Sequence, residues 1–290
     1  MKKILFLIDE YVPTYDLLLE EAKKESVVLD IIEYGEVNIF TSQQQTIVSV
    51  KEKNILEYDL VYFRTVGKYV EQQILIAHYC VQNGIDVYDP IFRSPFAWVK
   101  GKAMEYLIFS EHKLPVIKSF FSSRETFLSI EEKIQYPCIV KKSDASKGDG
   151  VFRCNTREEV FDLFDKYHMH LLFQEYVENS GDIRVLVIGN EVVASIERRA
   201  GTPEEFRNNI SRGGTAHDHT PSSEEVAIAV QATHSLQYSI AGVDLVYDAQ
   251  AKLWKIFEVN KAPQFEIHTP FTDRNIPRDV IRYFKQTKKQ

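Results

Sequence analysis

Two apolar runs near the C-terminus, Gly242-Val-Asp-Leu-Val-Tyr-Asp248 and Leu253-Trp-Lys-Ile-Phe-Glu-Val-Asn260, constrain this chain more than any other stretch. Both have the length and residue types of strands. The short polar stretch between Asp248 and Leu253 suits a hairpin, which lays Asp244 roughly opposite the end of the second run. Glu258 and Asn260 are two residues apart, so a strand turns both to one face. A carboxylate from each strand and an amide oxygen converging there suit a hard cation such as magnesium, the usual companion of phosphates. Each of these residues could instead end a strand as a turn former. Against that, Glu258 lies within Ile256-Phe-Glu-Val259, where a lone carboxylate is expensive.

The first ninety residues alternate in period. Residues 3–9 form a continuous apolar run, as in a buried parallel strand. Residues 14–24 have helical periodicity, and 27–34, 47–50 and 58–64 read as strands. A helix over 70–83 is stopped by Gly84, and 85–88 returns as a strand. This pattern predicts a small α/β domain with a mostly parallel sheet. The apolar core of the first run is too short for a signal peptide and is closed by Asp9. Further on, helices are expected over 98–112, 123–130, 156–167, 222–238 and 276–288. Strands are expected over 114–119, 137–142, 151–154, 171–177, 182–188 and 191–197, the last two joined by Gly189-Asn190. The polar stretch 198–221 is too long for a plain connector, which predicts a functional loop.

Several motifs carry chemistry. Lys141 and Lys142 sit in an apolar strand and must point to opposite faces, so one of them enters the interior, where an ammonium needs an anion. The competing reading is an edge strand facing water. The loop over 143–150 holds Ser146, Gly148 and Gly150 and has backbone N–H groups able to cradle phosphate. It lacks the Gly-Lys-Ser/Thr order of a Walker loop, and alone it would be an ordinary hairpin loop. Gln174-Glu-Tyr-Val177 is either a half-buried strand or a hinge whose backbone reads a base edge. Asp182 either takes a ribose hydroxyl or caps a turn. Arg198, Arg199, Arg207 and Arg212, with Asn208 and Asn209 between them, suit a polyanion or else a solvated loop. His217-Asp-His219 lacks further ligands at zinc spacing and reads as loop polarity.

Composition narrows the classes. The net charge of −7 offers no basic footprint for nucleic acid. No apolar run approaches the length of a membrane span. Cys80, Cys138 and Cys154 are odd in number and scattered, which reads as reduced core thiols in a cytoplasmic protein.

Taken in order, Pro137-Cys-Ile-Val-Lys-Lys-Ser-Asp-Ala-Ser-Lys-Gly-Asp-Gly-Val151, Gln174-Glu-Tyr-Val177, Gly181-Asp-Ile-Arg184, Glu197-Arg-Arg199, Phe206-Arg-Asn-Asn209, Arg212-Gly-Gly-Thr215, Gly242-Val-Asp244 and Glu258-Val-Asn260 resemble the ATP-grasp superfamily. The resemblance is strongest to its RimK-like carboxylate–amine ligases of the alpha-L-glutamate type, and it covers about residue 98 onward. It implies a mixed α/β and α+β architecture: a Rossmann-like pre-ATP-grasp domain over 1–95, a small lid subdomain over 96–180, and a metal-binding subdomain over 181–290. The nucleotide would lie between two antiparallel sheets. Lys102 and Lys141 would meet ATP phosphates, and the loop to Gly150, with Ser146 and Gly148, would close over them. Gln174, Glu175, Tyr176 and Val177 would hold adenine, and Asp182 the ribose. Arg207, Asn208 and Asn209 would contact the triphosphate. Asp244, Glu258 and Asn260 would bind two magnesium ions, with manganese as a substitute. Arg207 and Arg212 would stabilise an acyl phosphate and its tetrahedral successor.

The expected activity is therefore ATP- and magnesium-dependent joining of a carboxylate to an amine, the substrates being an amino acid and a peptide or protein. A homo-oligomer is expected because such relatives often pair or form tetramers. The alternatives are a ligase that cross-links side chains of a peptide precursor, and a nucleotide-binding module without turnover. Lys261-Ala-Pro-Gln-Phe-Glu266 departs from the relatives, which read Ala/Ser-Ser-Pro-Gly after the metal strand. Substrate preference is expected to lie there.

Overall fold

The structure is a computed structural model that describes residues 1–93, 101–142, 150–202, 208, 210 and 213–287. The N-terminal region runs β1 (Lys3–Ile8), α1 (Thr14–Lys24), β2 (Val28–Glu33), β3 (Val37–Thr41), β4 (Thr46–Val50), β5 (Lys53–Asn54), β6 (Leu60–Phe63), α2 (Val70–Gln82) and β7 (Asp86–Tyr88). Strands β2-β1-β6-β7 form a parallel sheet, as the apolar runs predict. Its central strands are buried on both faces: Ile4 to Ile8 and Leu60 to Phe63 have no exposure. Strands β3, β4 and β5 form a separate antiparallel meander. The sequence reading missed β3, whose side chains are mostly exposed and give no apolar alternation.

The middle region contains α3 (Lys102–Glu111), β8 (Ser119–Ser122), β9 (Cys138–Lys142), β10 (Val151–Cys154), α4 (Arg157–Tyr167) and β11 (Leu171–Glu175). Its sheet order is β10-β9-β11-β8, with antiparallel neighbours. The strand expected over 114–119 is displaced. Pro115 has no N–H to give a ladder, so its carbonyl accepts from Ile256 N at 2.8 Å and Val116 makes only a single bridge to Ile256. The helix expected over 123–130 is instead a pair of 3-10 turns, Phe127–Ser129 and Glu131–Lys133. Here the hydroxyls of Ser122, Ser123 and Thr126 bond one another and nearby backbone, which competes with a helix start.

The last region holds β12 (Asp182–Ile188), β13 (Glu191–Arg199), β14 (Thr215–Asp218), α5 (Ser223–Ser235), β15 (Ile240–Asp248), β16 (Leu253–Asn260) and α6 (Ile276–Gln286). Its antiparallel sheet runs β14-β13-β12-β15-β16. Ser222 begins α5 with a reciprocal cap to Glu225. The β15–β16 hairpin closes as expected, Asp248 pairing with Leu253. His217 bonds Thr215 and His219 bonds Glu225, so both act as local polar groups. Buried Tyr106, Ile117, Leu172 and Val246 join this sheet to the middle one.

The C-terminal helix packs on the N-terminal sheet. Ile276, Val280, Ile281 and Phe284 recur on one face of α6 and share a core with Ile4, Phe6, Tyr62 and Tyr88. The Phe284 ring stands 5.3 Å from Phe6, 4.7 Å from Tyr62 and 5.7 Å from Tyr88. Lys2 Nζ donates to the carbonyl of Phe284 at 2.7 Å. Truncating this wholly buried ring, Phe284→Ala, is expected to cost about 3–5 kcal/mol. Leu17→Ala, on the exposed side of α1, is expected to cost less than about 0.5 kcal/mol. Urea denaturation of the two variants beside the parent checks both.

Candidate nucleotide and metal site

The middle and C-terminal sheets face each other across a cleft of about 590 Å³, open mouth included. One end is apolar, lined by Ile139, Val177, Val246 and Phe257; the other is ionic, lined by Asp182, Arg198, Asp244 and Glu258. The strand period explains the arrangement. Asp244 pairs with Glu258 and Gly242 with Asn260, so all three oxygen donors lie near one end of the hairpin. The register then shifts, Leu245 pairing with Ile256, and Phe257 is the extra residue. This bulge turns the neighbours Phe257 and Glu258 to the cleft together, which a regular strand forbids.

Lys141 is the interior lysine of its pair. It is 2 % exposed, and its ammonium lies 4.3 Å from the Phe257 ring centroid. Burial pushes it down to about 8, with Glu258 pulling the other way. Lys142 points to the other face, over Tyr167. Lys102, at the start of α3, donates to Glu258 Oε1 at 2.8 Å. Burial works to raise the Glu258 carboxyl, but Lys102 and Lys141 outweigh it and hold it below the usual range. One turn after Lys102, burial pushes Glu105 up to about 8, against the pull of Lys102 and Lys141.

Asp244 and Asp182 are bound into a chain of arginine pairs. Arg184 donates to both oxygens of Asp244 at 2.6 and 2.7 Å, and Arg198 Nη2 adds a contact to Oδ2 at 2.8 Å. Arg198 also grips both oxygens of Asp182, at 2.7 and 2.9 Å. Burial works to raise the Asp244 carboxyl, yet Arg184 and Arg198 hold it low. The carboxylate expected to meet a ribose hydroxyl is thus committed to Arg198 and is only 4 % exposed. Arg198 was expected in a polyanion-binding or solvated loop and lies instead at the end of β13, paired with Asp182, while Arg184 had no expected role. The signal was available: like Lys141, Arg184 lies within an apolar strand, two residues from Asp182.

The hinge residues meet the cleft through different parts. Gln174 is buried and donates to Ser119 Oγ at 2.8 Å. The Glu175 carboxylate accepts from Lys255. Strand β11 ends at Glu175, so the backbone of Tyr176 lies beyond the ladder, and the Tyr176 ring stacks against Arg153 at 4.5 Å. Asn208 is 9 % exposed, lines the cleft and donates to Asn179 Oδ1 at 3.1 Å. Gly150 has φ +76°, a conformation that suits glycine, and its carbonyl accepts from Lys142 N. Ser146, Gly148, Arg207, Asn209 and Arg212 lie outside the described residues.

The donor set fits magnesium by chemistry: carboxylates and an amide oxygen, with no sulfur or imidazole. Glu258 is more open than Asp244, with 38 % of its side chain exposed against 3 %. Asn260 Oδ1 already accepts from Ala262 N at 2.9 Å, which fixes its direction. Asp244 meets its arginines with three hydrogen bonds, so a carboxylate with about four acceptor positions has about one left for a cation. Among the described residues, no group of three His, Cys, Asp or Glu side chains gathers as a metal site.

Curated relatives match part of the chain. A probable alpha-L-glutamate ligase of Serratia proteamaculans is 36% identical over 192 residues, 64% of this chain and 63% of that protein. One from Klebsiella pneumoniae is 45% identical over 155 residues, 52% of this chain and 51% of that protein. The ribosomal protein bS6–L-glutamate ligase of Escherichia coli O81 is 34% identical over 192 residues, again 64% and 63%. The chain thus spans under two thirds of the length of these relatives. Among solved structures, the ATP-grasp ligase PsnB with a minimal precursor superposes with a TM-score of 0.74 at 16% identity, covering 99% of this chain and 100% of that one. The macrocyclase MdnC of Microcystis aeruginosa, bound with precursor peptide MdnA, gives 0.72 at 12% identity, with 99% and 100% coverage. At such identities the likeness concerns the fold, with its facing antiparallel sheets. A model of the RimK-like ATP-grasp domain matches residues 99–284, and the chain belongs to that family.

Proposed function

We propose that this protein is an ATP- and magnesium-dependent ligase that joins a carboxylate to an amine. The observation that carries the reading is the two-ended cleft, apolar at Ile139, Val246 and Phe257 and ionic at Asp244 and Glu258. Around the ionic end, Lys102, Lys141, Arg184 and Arg198 stand among the carboxyl groups of Glu105, Asp182, Asp244 and Glu258. Four cations gathered there suit a polyphosphate. Asp244, Glu258 and Asn260 would hold magnesium, which supplies charge neutralisation to the phosphates when bound. Lys141 and Lys102 would orient the terminal phosphates, and the backbone beyond Glu175 would read adenine. Arg207 and Arg212 keep their proposed role at the acyl phosphate.

The reaction balances simply. A carboxylate oxygen takes the γ-phosphoryl group of ATP and releases ADP. The amine nitrogen then attacks the acyl carbon; inorganic phosphate leaves with the bonding pair, and the amine loses a proton. The protein's part is positioning and charge stabilisation. The names of the curated relatives support glutamate as the added amino acid and a protein or peptide as acceptor. A cytoplasmic setting fits three free, buried cysteines, and no helix among the described residues is long and apolar enough to cross a membrane.

ADP release from ATP, magnesium, L-glutamate and peptide acceptors tests the proposal. Glu258→Gln and Lys141→Met are each expected to lower the rate by about 10²–10³-fold, the typical loss for one preorganised charged group. ATP that stabilises the fold but is not consumed with any acceptor would favour a binding module without turnover. A product found only as a side-chain cross-link within a peptide would favour the precursor-modifying alternative. Asp182→Asn separates two roles for that residue. Breaking its buried pair with Arg198 is expected to cost about 3–5 kcal/mol of stability by urea denaturation. A ribose contact alone would weaken nucleotide binding and leave stability unchanged.

A further inference from the structure

A second set of cations lies outside the nucleotide cleft with donors unused. Arg64 directly follows β6 and is 5 % exposed. Its Nη2 donates to the Pro263 carbonyl at 2.5 Å, and its plane faces Phe265 at 4.4 Å. Its Nε and Nη1 have no hydrogen-bond partner among the described residues. Lys261 directly follows Asn260. Its buried Nζ likewise lacks a hydrogen-bond partner there and lies 4.6 Å from the Phe92 ring centroid. Aromatic faces give a cation up to about 2 kcal/mol, but they leave its hydrogen-bonding capacity unfilled. Asp89 is the opposing charge felt by Lys261, and its Oδ1 is taken by Ser239 N at 2.7 Å. Buried donors without acceptors are costly, and an anionic ligand would satisfy them.

Topology supplies an independent pointer. The parallel sheet order β2-β1-β6-β7 reverses direction between β1 and β6. In open α/β sheets, ligands bind beyond the carboxyl ends of the strands at such a reversal. Arg64 stands at that point, beside Asp9 and Thr65, which join the two strand ends by a 3.0 Å hydrogen bond. The segment leaving the candidate metal strand passes the same strand end, where Pro263 meets Arg64. Pro263 sits against Gly242, where an added Cβ would meet Pro263 Cβ at 3.0 Å and Arg184 Cδ at 3.7 Å. Pro263 therefore lies between Arg64 and the Arg184–Asp244 pair.

We propose that Arg64 and Lys261 form a carboxylate subsite at the switch point of the N-terminal sheet, holding the spectator carboxylate of the amino-acid substrate beside the transfer centre. The proposal rests on the ligase reading for the identity of its ligand. An amino acid that reacts at one group still carries a second charged carboxylate into a dry crevice, and that group needs cations there. Phe265 and Phe92 would wall its aliphatic stem. The departure of Lys261-Ala-Pro-Gln-Phe-Glu266 from the relatives then has a function: it supplies one of the two cations and one of the two walls.

Calorimetry and thermal melting of the full chain test this with glutarate, L-glutamate and inorganic phosphate as probes. Glutarate and L-glutamate are expected to bind saturably and raise the melting temperature. Arg64→Gln and Lys261→Met are each expected to weaken them by on the order of tenfold or more, the loss of one charge-assisted contact. Lys261→Met is also expected to raise the melting temperature without any probe, because it removes an unpaired buried ammonium. Unchanged affinities in both variants, binding of phosphate alone, no binding of either carboxylate, or a lowered probe-free melting temperature in Lys261→Met would each overturn the subsite. ADP formation by the parent reports on ligation separately. Ligation with unaltered glutarate affinity in the variants removes the subsite alone. Carboxylate binding lost in the variants of a protein that never forms ADP removes ligation alone.

Discussion

The alternating ion chain Asp182–Arg198–Asp244–Arg184 is the constraint on which the C-terminal sheet depends. Strand pairing sets Asp182 opposite Arg198 and Arg184 opposite Asp244, so hydrogen-bond register and charge pairing are one condition. A slip of one residue would turn these side chains toward the layer built from Ile183, Val185, Val187, Val243 and Leu245. Unpaired charges in that layer would be far costlier than the apolar residues there now. The network thus selects one register, and the same register brings Asp244 to Glu258. The candidate metal site inherits its geometry from a charge pattern in neighbouring strands.

That arrangement also divides labour among the acidic groups. Asp244 is heavily committed to guanidinium groups, whereas Glu258 is hydrogen-bonded by one lysine and remains partly open. A cation arriving at this end would meet a fixed carboxylate and an adjustable one. Lys141 comes from the facing sheet, on β9, so the cleft has cations from both walls, while Lys102 comes from α3, whose Phe109 packs in the core of the C-terminal sheet. Charge from two independent structural units lets closure of one on the other bear on affinity.

Much of this was legible in the sequence for a local reason. The interior position of Lys141 and the common face of Glu258 and Asn260 follow from a period of two. The β15–β16 hairpin follows from strand length and a polar turn. The parallel N-terminal sheet follows from apolar runs that alternation would have broken. What escaped depended on other segments. The bulge at Phe257 is invisible without the partner strand, and the pairing of Asp182 with Arg198 spans a hairpin. Arg64, Lys261 and their empty donors meet only through tertiary packing. Strand β3 and the displaced strand near Pro115 failed for the opposite reason: a weak pattern in one, and a missing N–H in the other.

The placement of α6 has a consequence for synthesis. The ribosome releases β1, β2, β6 and β7 long before residue 276, yet one face of their sheet is covered by Ile276, Val280, Ile281 and Phe284. A nascent chain therefore exposes Phe6, Tyr62 and Tyr88 on that face until residues 276–284 have been made. The core under its first sheet is completed only when α6 docks there. A chaperone acting early, or slow elongation late, would bear on yield more than the stability of the finished fold does.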